Sequence, residues 1–130
     1  MLFRSLKNPR KDSAIISLAG PAINIIFATI LAILVRFVGL PPLLGAAFYA
    51  LISVNVSLAV FNLIPIHPLD GGKILAGILP PQEAAKFDLF LYKYGTILLL
   101  FMIFPIFGGV SIVSQIVSPV ANFILTLLIP

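Results

Sequence analysis

Two long apolar stretches in the first half of the chain limit its folding more than any other feature. Residues 14–35 and 46–66 each run for about 20 residues without a charged side chain, enough for a helix to cross the roughly 30 Å hydrocarbon core of a bilayer. The 130-residue chain is 61% hydrophobic and 9% charged, whereas a soluble domain has about 25% charged residues. So few charges cannot cover a soluble surface, and the composition predicts an integral, multi-pass membrane protein.

The apolar pattern predicts an all-α fold, a polytopic bundle with about four transmembrane segments. A basic leader, residues 1–13, precedes a single helical domain, residues 14–130. Asp12 and Ser13, at the end of the leader, offer an N-cap for the first helix. Ser118 and Pro119 are expected to break the last segment. The four predicted spans lie near 14–36, 46–66, 89–107 and 110–129.

The basic residues predict the orientation of these spans. One group lies in the leader and a second lies within residues 73–93, while the turns 37–45 and 108–110 contain neither lysine nor arginine. Cytoplasmic loops carry an excess of basic residues, so we expect the leader, the 67–93 segment and the end of the chain to face the cytoplasm. The net charge of +4 is therefore interpreted as membrane anchoring, and nucleic acid is not expected as a partner. The basic residues concerned are Arg4, Lys7, Arg10, Lys11, Lys73, Lys86 and Lys93.

Polar residues inside the first two spans need partners within the protein. Asn24 and Asn55 are predicted near mid-membrane, where an unpaired amide is costly. Each asparagine could tie two helices together or lie near a reacting group. Gly20, Asn24, Ala28 and Ala32 repeat every four residues, which predicts a stripe of small side chains for close packing against another helix.

The stretch NLIPIHPLDGGKIL, residues 62–75, interrupts the apolar pattern. Pro65 and Pro68 lack the N–H groups that the carbonyls of Phe61 and Ile64 would need in a continuous helix. Unpaired backbone is tolerated at membrane depth only inside protein or along a wet cavity. The stretch is thus predicted either to line a polar cavity or to form a simple turn where the helix leaves the membrane.

Asp70 is the residue in this stretch with the clearest chemical potential. A buried carboxylate is costly unless it is paired or binds a metal, and Gly71 and Gly72 allow other groups to approach. A catalytic zinc needs three protein ligands and a water. The chain has one histidine, no cysteine and four acidic residues. Ligation by His67 is not assured because Pro68 separates it from Asp70, so the residues alone do not complete a metal site.

Two segments resemble a known family. NPRKDSAIISLAGPAINII and FNLIPIHPLDGGKIL closely resemble the second half of the site-2 proteases in their small bacterial form, which are intramembrane zinc metalloproteases. The resemblance implies that Asp70 is the third zinc ligand and that Asn62 holds the backbone of an unwound, membrane-embedded protein substrate. It also implies a bacterial inner-membrane location within the lipid bilayer. Supporting positions implied around the site are Gly20, Asn24, Asn55, Gly71 and Gly72.

The chain departs from that family in one large respect. The His-Glu-x-x-His helix that provides two zinc ligands and the general base is absent from these 130 residues. We therefore expect no catalytic residue and one zinc ligand in this chain, which alone would be inactive. It would be a fragment completed by a segment carrying that helix, or a remnant acting as a non-catalytic membrane module in assembly or regulation. A transporter subunit is the weaker alternative, because only Asp70 and Lys93 could line an ion path.

Overall fold

The computed structural model describes residues 9–66, 69–106 and 108–129. This part of the chain is helical and contains no strand, which confirms the predicted all-α class. Helix α1 packs against α2 and α3, α5 packs against α2, and α4 contacts both α3 and α5. The five helices are α1 (Pro9–Phe37), α2 (Pro42–Asn62), α3 (Asp70–Ile78), α4 (Pro81–Ile103) and α5 (Ile112–Leu128).

Helix α1 includes part of the segment that was predicted as a leader. It contains Pro9, and both Asp12 and Ser13 lie inside it, so the predicted N-cap at these two residues is wrong. Proline is well tolerated in the first turn of a helix, and an acidic side chain in that turn interacts favourably with the helix dipole. Pro21 is buried within the same helix, which continues on both sides of it.

Residues 63–66, directly after α2, fold into consecutive tight turns. The N–H of Ile64 donates to the carbonyl of Phe61 at 3.1 Å, and the N–H of Ile66 donates to the carbonyl of Ile64 at 2.8 Å. The prediction that Pro65 and Pro68 leave these two carbonyls free is therefore wrong, because N–H groups nearer in the chain replace the missing helical donors. His67 and Pro68 lie outside the described residues.

Helix α3 runs antiparallel along the first part of α1 and is held closely against it. A Cβ atom at Gly77 would overlap the Cβ of Ala14, so the two helices meet backbone to side chain at this point. Arg10 donates from Nη1 to the carbonyl of Ala76 at 2.7 Å and also to the carbonyl of Leu79. These carbonyls lie in the last turn of α3, where a cation satisfies them and interacts favourably with the helix dipole.

Helices α4 and α5 are more regular than the sequence indicated. Helix α4 begins at Pro81 with Glu83 in its first turn, so the polar segment before Leu89 is already helical. Helix α5 is capped by Ser111, whose hydroxyl accepts a hydrogen bond from the N–H of Ser114 at 3.0 Å. It then passes through Pro119 without ending, which makes the predicted break wrong.

The core lies between α1, α2 and α5, and most other large apolar side chains are exposed. Ala28, Ile52 and Val56 are fully buried, and Val117 and Ala121 of α5 close the core from the other side. Among the described residues, α1 and α2 are long and apolar enough to cross a membrane, whereas α5 is an apolar helix of shorter length. An exposed apolar surface of this kind is suited to contact with lipid.

Candidate functional site

Asp70 is the first residue of α3, and its carboxylate faces α1. It follows Leu69, whose backbone is extended, and its side chain is half-buried. A Cβ atom at Gly20 would lie 3.1 Å from Oδ2 of Asp70. Because Gly20 has no side chain, the carboxylate can approach the backbone of α1 closely. The fold thus brings together two sequence-predicted residues that are far apart in the chain.

The contact with Gly20 places Asp70 beside the apolar part of α1. Gly20 lies six residues after Ala14, the first residue of the apolar stretch, which corresponds to about 9 Å along a helix. The carboxylate is therefore level with apolar residues of α1 and well removed from the basic residues near its start. A carboxylate at such a level is unfavourable unless other groups stabilise its charge.

The two glycines after Asp70 fix the start of α3 against the end of α2. A Cβ atom at Gly71 would overlap the carbonyl groups of Leu63 and Ile64, so only glycine allows this approach without a backbone shift. Gly72 is buried, and its N–H donates to the carbonyl of Leu69 at 3.2 Å. The position of Asp70 thus depends directly on the turn that follows α2.

The three asparagines that the sequence singled out differ in their surroundings. Asn62 is the last residue of α2 and is half-buried, at the beginning of the turn that Gly71 contacts. Asn24 is half-buried one turn beyond Gly20 on α1. The side-chain amide of Asn55 donates to the carbonyl of Leu51 at 2.8 Å, within its own helix. The amide of Asn55 therefore makes a local bond within α2.

Arg10 is the structural contributor to this region that the sequence reading missed. By holding the last turn of α3, it fixes the far end of the helix that begins with Asp70. An arginine near the end of its own helix can be predicted as a C-terminal cap. Arg10 instead caps a helix more than 60 residues away, so no local pattern could have identified this role.

The donor set around Asp70 does not by itself fit a catalytic zinc. No group of three histidine, cysteine or acidic residues that could hold a metal occurs among the described residues. A catalytic zinc site uses three protein ligands and leaves a position for water. Asp70 is a single carboxylate, so the described residues do not make up a catalytic zinc site.

Comparison with known proteins agrees with the motifs. Residues 42–102 match the model of peptidase family M50. YwhC of Bacillus subtilis, provisionally named a zinc metalloprotease, is 37% identical over 92 residues, covering 64% of this chain and 42% of that protein. Zinc metalloprotease MJ0392 of Methanocaldococcus jannaschii is 39% identical over 73 residues, covering 56% of this chain and 22% of that protein.

A third relative, sll0528 of Synechocystis, has the same provisional name as YwhC and is 40% identical over 65 residues, covering 49% of this chain and 17% of that protein. The chain thus spans less than half the length of each of these curated relatives. No solved structure matches it significantly. The similarity predicted from the residue motifs is confirmed: the segment that contains α2, α3 and most of α4 matches the model of peptidase family M50, the site-2 protease family.

Proposed function

We propose that this chain provides part of an intramembrane zinc metalloprotease that hydrolyses peptide bonds of membrane-embedded proteins. The observation that carries the proposal is the approach of the Asp70 carboxylate to Gly20, beside the apolar section of a helix long enough to span a membrane. The family match over residues 42–102 supports the same interpretation. Asp70 would be one zinc ligand. The remaining two ligands and the general base would come from a segment carrying a His-Glu-x-x-His helix.

Asn62 is proposed to hold the substrate backbone near Asp70. It lies at the end of α2, and the turn after it packs directly on Gly71, next to Asp70. A side-chain amide can both donate to and accept from an extended peptide, which suits recognition of backbone groups. Asn62→Ala should therefore slow cleavage by the completed enzyme while leaving its zinc content unchanged.

The site is proposed to lie in a bacterial inner membrane, in a multi-pass chain with four spans. The orientation is tested with single cysteines introduced into the natural cysteine-free chain and labelled from outside intact cells. We expect labelling at Leu43, in the turn region free of basic residues, and protection at Lys86, in the basic segment. The opposite pattern would show that the basic residues do not face the cytoplasm.

The metal proposal is tested by zinc content and by cleavage of a model membrane substrate. The chain alone should retain little zinc and cleave nothing, because one carboxylate cannot replace three converging ligands. Adding a segment with the His-Glu-x-x-His helix, fused or co-expressed, should restore both properties. In that completed enzyme Asp70→Asn should lower zinc affinity by more than the roughly 10–100-fold that loss of a second-shell partner costs. His67→Ala should be mild in comparison.

The matched control is Glu83→Gln, which removes a carboxylate at an exposed position of α4 that does not contact Gly20. It should leave zinc content and cleavage unchanged. Undiminished activity of the Asp70→Asn enzyme would remove Asp70 from the site. Stoichiometric zinc in the chain without the added segment would show that its own residues complete a site.

A non-catalytic membrane module, acting in assembly or regulation, is the second candidate. It is favoured by the donor set, because the described residues include no group of three potential metal ligands. The buried small residues of α1, among them Ala28 and Ala32, show that this helix already packs closely with its neighbours. The added-segment experiment separates the two candidates, since a module of this kind gains neither zinc nor cleavage from it.

A further inference from the structure

A cavity of about 700 Å³ lies between the start of α1, helix α3 and the first half of α4, away from the contact between Gly20 and Asp70. Its lining combines two cations, two hydroxyl groups and one carboxylate with apolar side chains. The polar lining residues are Arg10, Ser13, Lys73, Asp88 and Tyr92. We propose that this cavity binds the phosphate of an anionic lipid headgroup.

The charges of the cavity favour an anion. Arg10 on α1 and Lys73 on α3 outnumber the single carboxylate of Asp88 on α4. Within the described ranges, Lys73 and Asp88 form no ion pair, so the lysine is available to a ligand. Arg10 uses Nη1 for the carbonyls at the end of α3, and a guanidinium has further N–H donors on its other nitrogens. Cations of this kind, together with hydroxyl donors, are the usual partners of phosphate oxygens.

The position of the cavity favours a lipid over a soluble anion. On α1 the polar residues Arg10 and Ser13 precede the apolar stretch, and on α4 Asp88 immediately precedes another apolar run. The cavity therefore lies where two helices change from polar to apolar surface. Tyr92, which is 84% exposed, borders it and has the amphipathic side chain typical of a membrane interface. Basic pockets between helices at such a boundary are suited to lipid headgroups.

The proposal rests on the membrane placement described above, but not on zinc or proteolysis. It is tested by incorporating the full chain into phosphatidylcholine vesicles with and without phosphatidylglycerol, and by counting retained lipid with native mass spectrometry. We expect preferential retention of phosphatidylglycerol. Lys73→Gln should weaken it about fivefold, the effect of one basic group near an anionic lipid. The matched change Lys93→Gln, at an exposed position of α4 outside the cavity lining, should alter the retention of phosphatidylglycerol less than about twofold.

A second pair of variants tests the cavity with the opposite sign. Asp88→Asn removes the carboxylate from the lining and should strengthen phosphatidylglycerol retention about fivefold. Glu83→Gln makes the same change in net charge at an exposed position of α4 outside the lining and should have little effect. This pair decides the question if Lys73→Gln impairs folding, which its melting temperature would reveal.

Three results would overturn the headgroup site. Equal effects of Lys73→Gln and Lys93→Gln, and of Asp88→Asn and Glu83→Gln, would assign the preference for phosphatidylglycerol to the overall charge of the protein. Displacement of the lipid by inorganic phosphate at comparable concentration would assign the cavity to a soluble anion. A chain that enters phosphatidylcholine vesicles but shows no preference for phosphatidylglycerol would also defeat this proposal while leaving the membrane placement intact. A chain that enters neither kind of vesicle would instead defeat the membrane placement on which the site depends.

Discussion

Replacement of Gly71 by alanine should destabilise the fold by forcing α3 away from the end of α2. The added Cβ would overlap the carbonyl oxygens of Leu63 and Ile64 and the carbonyl carbon of Leu63. These approaches are well inside the roughly 3.3 Å at which carbon and carbonyl oxygen pack. The overlapped atoms are backbone atoms, so a side-chain rotation cannot relieve the overlap, and a shift on the order of 1 Å is needed. Overpacking of this kind costs about 1–3 kcal/mol.

The measurement is thermal unfolding of the full chain in detergent, followed by circular dichroism. Gly71→Ala should lower the melting temperature by several degrees, whereas Gly45→Ala on α2 should not, because nothing lies within 4 Å of a Cβ at that position. The helical preference of alanine over glycine, up to about 1 kcal/mol, favours both variants and cannot produce the difference. Equal melting temperatures for the two variants would refute the close approach of α3 to the 63–64 turn.

Two further substitutions test how α1 is packed. Ala28→Leu should destabilise the protein by about 1–3 kcal/mol, because Ala28 is fully buried in the core. Ala22→Leu changes an exposed position of the same helix and should destabilise the protein less. Equal thermal stability of the two variants would exclude the small-residue stripe as a packing face. Arg10→Gln should cost about 1–2 kcal/mol through loss of charged hydrogen bonds to the last turn of α3, and Arg36→Gln, which removes one exposed bond of 3.2 Å, should cost less than about 0.5 kcal/mol. Denaturation by urea compares the arginine variants, and equal midpoints would remove Arg10 as the cap of α3.

Local sequence signals predicted the helical class and the interruption between Asn62 and Asp70, because long apolar runs and clustered prolines and glycines are visible without a fold. They failed at element ends. Asp12 and Ser13 looked like a cap because hydropathy rises after them, although proline can begin a helix earlier. Pro119 looked like a break, yet a helix can absorb a proline where neighbouring groups satisfy the freed backbone.

Contacts between distant segments could not be predicted in the same way. The approach of Asp70 to Gly20 and the capping of α3 by Arg10 depend on how α3 lies along α1. Nothing in the spacing of these residues specifies that packing, because it follows from the contact of Gly71 with the 63–64 turn and from the small side chains on the facing helices.

The attachment of α3 at both ends has a consequence for how the length of this chain can change. Arg10 and Ala14 contact the end of α3, and Gly20 contacts its beginning. The length of α3 must therefore match the length of the segment 10–20 of α1. One residue inserted between Ala14 and Gly20 would turn the rest of α1 by about 100°. Gly20 would then leave Asp70 while Arg10 stayed in place. A change of length in one segment is therefore tolerable only with a compensating change in the other, although more than 45 residues separate them in the chain.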